Sequence, residues 1–292
     1  MPSQPANRGL MAAILSFAIW GGFPIYWRLL SGIGSFELLN IRLILTACTC
    51  LAVLPLRGTW PDFRGAMGDL RILRGGLMAA ILLAGNWLAF IWAVNSGNIL
   101  ESSLGYFLCP LVTVMLGYFV EKEPLRGHQW WAVLLATLGV TLVVLAVGRL
   151  PLAALVIAFT WSGYGLMKKR SRLGPVVGLG METSLLSLPA AMVLLWMGSR
   201  GSLALPHAGG GTLATLALSG FITAAPLLLF AYAVPRIRLS TVGMGQYLVP
   251  SCHFGLALFF GESVPPSLLG GFGLIWAGLL LYAIPGRENE SG

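Results

Sequence analysis

The chain has 292 residues, of which 57% are hydrophobic and only 10% charged, and its mean hydropathy is +0.84. Eighteen Lys and Arg with ten Asp and Glu cannot build a water-facing surface for a chain of this length, which excludes a soluble globular protein and leaves the bilayer as solvent. The net charge of +8 invites a nucleic-acid reading, which the distribution of the basic residues argues against.

Between the charged positions lie ten apolar runs, approximately 10–28, 36–56, 75–95, 101–120, 128–147, 150–167, 176–197, 212–234, 239–260 and 266–285. Each is near the roughly 20 residues that cross ~30 Å of hydrocarbon as a helix. The runs are continuously apolar rather than alternating, so helices are expected and a β-barrel is not. The expectation is an all-α integral membrane protein of ten transmembrane helices, with no room for a soluble domain.

Span 1 follows the single Arg8 and has no small-residue cleavage site after it, so it is expected to be a retained helix; it carries Gly22 and Pro24. Span 2 contains Arg42. Span 3 carries Asn86, Trp87 and Trp92 and closes on Asn95, Ser96 and Asn98, while span 4 opens on Glu101, Ser102 and Ser103 and contains Tyr106 and Pro110. Span 6 ends in Lys168-Lys169-Arg170-Ser171-Arg172, span 7 contains Glu182, and span 9 contains Gln246, Tyr247, Pro250 and His253. Cys48, Cys50, Cys109 and Cys252 all lie within spans, as small apolar packing residues do.

With a cytoplasmic N-terminus, fourteen basic residues fall inside: Arg8, Arg57, Arg64, Arg71, Arg74, Lys122, Arg126, Lys168, Lys169, Arg170, Arg172, Arg236, Arg238 and Arg287. Only Arg28, Arg149 and Arg200 fall outside, and Arg42 lies within a span. That bias predicts cytoplasmic termini and makes the cluster from Lys168 to Arg172 a topology anchor; nucleic acid is not an expected partner.

The chain also resembles itself at a fixed offset. Ala12 to Arg28 matches Ala153 to Lys169, with Ala12/Ala153, Ala13/Ala154, Trp20/Trp161 and Gly22/Gly163 coincident at offset 141. Ala84 to Val94 matches Ala224 to Val234, and Gly105 to Pro110 matches Gly245 to Pro250, both at offset 140. Shared Leu/Ala composition does not explain a common register of Trp, Gly and Pro. Two five-helix repeats, 1–148 and 149–292, are therefore expected, and an odd helix number inverts the second in the membrane.

Charges within spans are functional suspects because of their insertion cost. Arg42 and Glu182 are near-equivalent in the repeat and serve either as gate or substrate ligands, or as structural groups. Glu101 either caps its helix or sits at the outer mouth of a cavity, within reach of Arg42. Asn86, Trp87, Trp92, Tyr106, Gln246, Tyr247 and His253 are the candidate substrate contacts; each alone is more often helix glue or an interface aromatic, and they gain weight together because spans 3, 4 and 9 are repeat-related. Pro110 and Pro250 are the candidate helix breaks, because proline frees a carbonyl. Gly22 and Gly163 are expected to allow close helix approach, and Glu123 and Glu262 to be either solvated charges or gate groups.

The stretch from Asn86 to Glu123 resembles the RarD-like branch of the EamA-type transporters, in the drug/metabolite transporter superfamily. The resemblance extends over nearly the whole chain and departs from the branch at Phe107-Leu108-Cys109-Pro110, where a polar residue is expected beside the proline. It implies ten helices in two inverted repeats around a central cavity, in a bacterial inner membrane, exporting or exchanging amino acids or other small metabolites. The chain has no P-loop, and His128, His207 and His253 are far apart without a metal-binding motif, so no cofactor, metal or enzymatic activity is expected. The leading function is a secondary transporter for a small organic molecule. The alternatives are a membrane receptor or scaffold, and an intramembrane enzyme. Oligomeric state is not specified by the sequence, and a monomer is compatible with it.

Overall fold

A computed structural model describes residues 4–95, 99–147, 152–261 and 266–284, without the side chains of 94, 95, 99–103, 146, 147 and 266–268. Among the described residues every regular element is helical: α1 Gln4–Arg28, α2 Ser35–Leu56, α3 Trp60–Gly68, α4 Leu70–Asn95, α5 Ile99–Phe119, α6 Gly127–Val147, α7 Leu152–Arg170, α8 Pro175–Ser199, α9 Gly210–Ala233, α10 Leu239–Gln246, α11 Leu248–Phe259 and α12 Pro266–Ala283. Six of them, α1, α2, α4, α6, α8 and α9, are long and apolar enough to cross a membrane by length and composition. Helices suit these runs because a helix satisfies its backbone internally, which hydrocarbon demands.

Two elements differ from the sequence expectation. The segment expected to connect spans 2 and 3 contains α3, begun by Pro61 at its start and by Asp62 in its first turn, with Phe63 and Ala66 buried against α8. The run 239–260 is two helices, interrupted at Tyr247, and Pro250 lies in the first turn of the second. Helix α5, by contrast, continues through Pro110.

Packing is dominated by pairs that join the two halves of the chain: α1 with α9 and α11, α2 with α8 and α9, α4 with α7 and α8, α5 with α7 and α10, and α6 with α12. Glycine makes several of these crossings close. A Cβ on Gly139 of α6 would stand 2.6 Å from the carbonyl oxygen of Gly271 on α12, and one on Gly243 of α10 would stand 2.7 Å from that of Pro110. The close approach on α1 belongs to Gly21, whose Cβ would meet Cys252 of α11, and not to Gly22, which faces open space. Gly163 has only ordinary contact with Leu82. The expectation for Gly22 was thus one residue out, a rotation of about 100° around the helix.

Candidate functional site

The core is aromatic where α1, α7 and α9 meet. Trp20 lies edge-on to Trp161 at 5.1 Å and to Phe230 at 5.8 Å, and Phe230 stacks on Tyr164 at 6.2 Å. Above this floor, toward the end of the molecule where α1 finishes and α2 begins, sits Arg42 of α2. Its guanidinium carbon is 5.0 Å from the ring centre of Trp27 on α1 and 4.4 Å from that of Trp87 on α4. Three residues along α4, Phe90 contacts Tyr106 of α5 at 6.0 Å between ring centres, and Tyr106 lies near enough to Arg42 for their charges to be coupled. His253 of α11 lies with Nε2 3.4 Å from the carbonyl oxygen of Trp20. Arg42, Trp27, Trp87, Tyr106 and His253 are all half-buried.

The guanidinium is held by its faces. Cation–π contact covers the plane of the group and leaves its in-plane N–H donors available. Arg42 Nε is buried without a hydrogen-bond partner, and among the described residues no carboxylate pairs with the side chain.

The other predicted residues divide. Asn86 turns away from the chamber: its amide donates to the Ile157 carbonyl of α7 at 2.9 Å and approaches the Thr160 hydroxyl at 3.4 Å, with 2% exposure. Trp92 projects outward, 55% exposed, and is not brought to the others. Gln246 and Tyr247 are buried at the α10–α11 interruption. There the Thr113 hydroxyl lies 2.8 Å from the Cys109 carbonyl, 2.9 Å from Ser162 and 3.5 Å from Gln246 Oε1. Gln246 Nε2 and the Tyr247 hydroxyl have no hydrogen-bond partner among the described residues. The side chains of Glu101 and Glu262 lie outside the described residues.

Glu182 does not pair with Arg42. Its Oε1 accepts from Lys168 Nζ at 2.5 Å and its Oε2 from the Tyr164 hydroxyl at 3.1 Å, and all three side chains are nearly inaccessible. Lys168, read from the sequence only as part of a topology anchor, is one half of a buried ion pair joining α7 to α8. A run of basic residues hides this, because only the helical phase distinguishes inward-facing Lys168 from exposed Arg170 and Arg172.

At the same end of the bundle, polar contacts link the two halves. The Glu123 carboxylate, after α5, accepts from the backbone N–H groups of Leu239 at 2.6 Å and Ser240 at 2.9 Å and from the Ser240 hydroxyl at 2.9 Å, capping α10. Lys169 Nζ is 3.8 Å from Glu123 and donates to the Ile237 carbonyl. Arg170 Nε donates to Glu121 at 2.7 Å, and Arg238 donates to the Pro124 carbonyl. At the opposite end Glu37 plays the capping part, accepting from the N–H groups of Ala204 and Leu205 at 2.8 and 2.9 Å. Sequence reasoning missed Glu37. It stands at the start of a span, where an acid reads as an ordinary first-turn residue.

The described residues thus form a helical bundle with aromatic contacts inside it and polar contacts between its two halves at one end. The EamA-like transporter family matches residues 7–145. Protein RarD of Streptomyces exfoliatus is 39% identical over 94% of this chain and 87% of its own length, and Protein RarD of Escherichia coli strain K12 is 34% identical over 97% and 96%. An uncharacterized transporter of Vibrio cholerae is 33% identical over 98% and 95%. A solved crystal structure shares the fold, with a TM-score of 0.75 at 18% identity over 97% of this chain and 98% of that one. The chain belongs to the EamA-like, RarD-like transporters of the drug/metabolite superfamily, and is a multi-pass membrane transporter.

Proposed function

We propose that the protein is a secondary transporter that moves a small organic metabolite across a bacterial inner membrane by alternating access. In this reading ten helices cross the membrane as two inverted repeats, 1–148 and 149–292, with both termini cytoplasmic. Helix α3 lies outside the count, and α10 with α11 make one broken crossing.

The helix pairing supports the repeat. Exchange α1 with α7, α2 with α8, α4 with α9, α5 with the α10–α11 pair, and α6 with α12. The contact of α4 with α7 then becomes that of α9 with α1, that of α2 with α9 becomes that of α8 with α4, and that of α5 with α7 becomes that of α11 with α1; α2 with α8 and α6 with α12 map onto themselves. The match of the family to 7–145 supports the same boundary. The charge bias supports the orientation, since the N-terminal end of α1 meets Arg236 at the end that bears Lys168 to Arg172.

The observation that carries the mechanism is the latch between halves. Arg170 and Glu121 close the basic end, and at the other end, one residue from the repeat-related positions 29 and 261, the Arg28 guanidinium lies 4.0 Å over Phe260. Two related latches at opposite faces, with a chamber between them, suit a carrier that opens to one side at a time. The substrate chamber is formed by Arg42, Trp27, Trp87, Tyr106 and His253, with Gln246 and Tyr247 at the break that lets α10 and α11 move separately. Asn86 positions α4 against α7.

The test is uptake by proteoliposomes of purified protein with a panel of labelled metabolites. Saturable uptake accelerated by unlabelled substrate on the far side is expected. Tight binding without such counterflow would make the protein a receptor instead.

A further inference from the structure

We propose that the Arg42 chamber is an anion site that takes an organic carboxylate with a flat apolar body and no compensating cationic group. The inference deepens the transport reading and rests on it.

The first ground is the state of the guanidinium. It sits where α1, α2, α4 and α5 converge, with Trp27 on one helix and Trp87 on another in cation–π contact. Its Nε is buried without an acceptor. An arginine at membrane depth is costly unless paired or opened to a polar cavity, and here no acid of the described residues supplies the pair. A carboxylate approaching along the guanidinium edge meets two parallel N–H donors while the ring contacts stay in place.

The second ground is where the acids are. Glu37 caps the turn at Ala204 and Leu205, Asp69 accepts from the N–H groups of Arg71 and Ile72, Glu121 holds Arg170, Glu123 caps α10, and Glu182 holds Lys168. Asp62 lies in the first turn of α3, at the opposite end of α2 from the chamber. Among the described side chains, none is placed to balance a substrate ammonium. A zwitterion would bring a cation into a chamber that already holds one. The third ground is the wall: Trp87, Phe90 and Tyr106 offer flat rings, which suits a planar apolar body.

Four probes of one shape separate the possibilities: 3-phenylpropanoate, phenylalanine, 3-phenylpropanamide and 2-phenylethylammonium. Titration calorimetry uses the full chain in phosphatidylcholine nanodiscs, where no anionic headgroup competes. The expected result is that 3-phenylpropanoate binds more tightly than each of the others by about ten- to a hundredfold, the worth of charge-assisted hydrogen bonds. Arg42→Gln should abolish that preference and Arg42→Lys should keep part of it. Adding phosphatidylglycerol should leave the affinity unchanged. Equal or tighter binding of phenylalanine or the amide, no binding of the anion, or unchanged anion preference in Arg42→Gln overturns the proposal, and loss of the anion on adding phosphatidylglycerol assigns the site to lipid headgroups and overturns it too. The wild-type series decides even where a variant fails to fold. Anion binding without flux in vesicles of the same lipid would sink the transport reading and leave the site standing. Flux of phenylalanine with no anion preference would do the reverse.

Discussion

Lys168 and Glu182 join α7 to α8 with a 2.5 Å contact inside the bundle, at 4% and 3% exposure. Removing one partner leaves the other charged and buried, which costs about 3–5 kcal/mol in comparable sites. Lys168→Met and Glu182→Leu should each destabilise by that amount. The double variant replaces the pair with apolar side chains of similar size, often neutral or stabilising by ~1–4 kcal/mol, but it also orphans the Tyr164 hydroxyl, which costs ~1–3 kcal/mol. These offset one another, so the double variant should lie near wild type and the coupling energy should exceed about 3 kcal/mol. The assay is reversible unfolding in mixed micelles, with tryptophan fluorescence as signal. Additive single effects below about 1 kcal/mol would refute the buried pair and return Lys168 to the role of a solvated charge.

Other contacts give equally definite outcomes. Glu123→Ala leaves the Leu239 and Ser240 N–H groups buried without an acceptor, so it should loosen the start of α10 by about 1–3 kcal/mol per group and raise thiol labelling of a cysteine placed at Thr241; labelling unchanged from wild type would count against the cap. Asn86→Ala should lower stability by about 0.6–2 kcal/mol and leave substrate affinity as it was, whereas a large rise in KM with normal stability would return Asn86 to the substrate. Gly139→Val pushes side-chain atoms into the Gly271 backbone and should reduce folded yield, while Gly22→Ala, facing open space, should not; equal yields would contradict the α6–α12 crossing.

Much of the architecture was legible because it follows from solvent: a chain with 10% charged residues must bury its backbone polarity in helices, and runs between charges mark them. Arg42 was legible for the same reason, as a charge where hydrocarbon should be. The rest depends on rotation about helix axes, which apolar composition does not encode. Asn86 and Trp87 are neighbours in sequence, yet one faces α7 and the other Arg42. Trp92 shares their span and points outward, and Gly21 rather than Gly22 meets α11. In soluble helices a polar face would reveal the phase, but both faces of these helices are apolar. The interruption at Tyr247 lies three residues before Pro250, since a proline opens the carbonyl of the preceding turn; at Pro110 the same residue is accommodated within a continuous helix. The buried caps by Glu37 and Glu123 join segments far apart in the chain, which no local pattern announces.

Alternating access is the central claim, and the latch at the basic end offers the most direct test of it. Cysteines at Glu121 and Arg170, whose side chains meet at 2.7 Å, can be bridged by a short reducible bis-thiosulfonate in proteoliposomes. Holding α5 against α7 should abolish counterflow, reduction should restore it, and each single-cysteine variant should be insensitive to the reagent. Undiminished counterflow with the bridge fully formed would contradict a carrier that must open at this end.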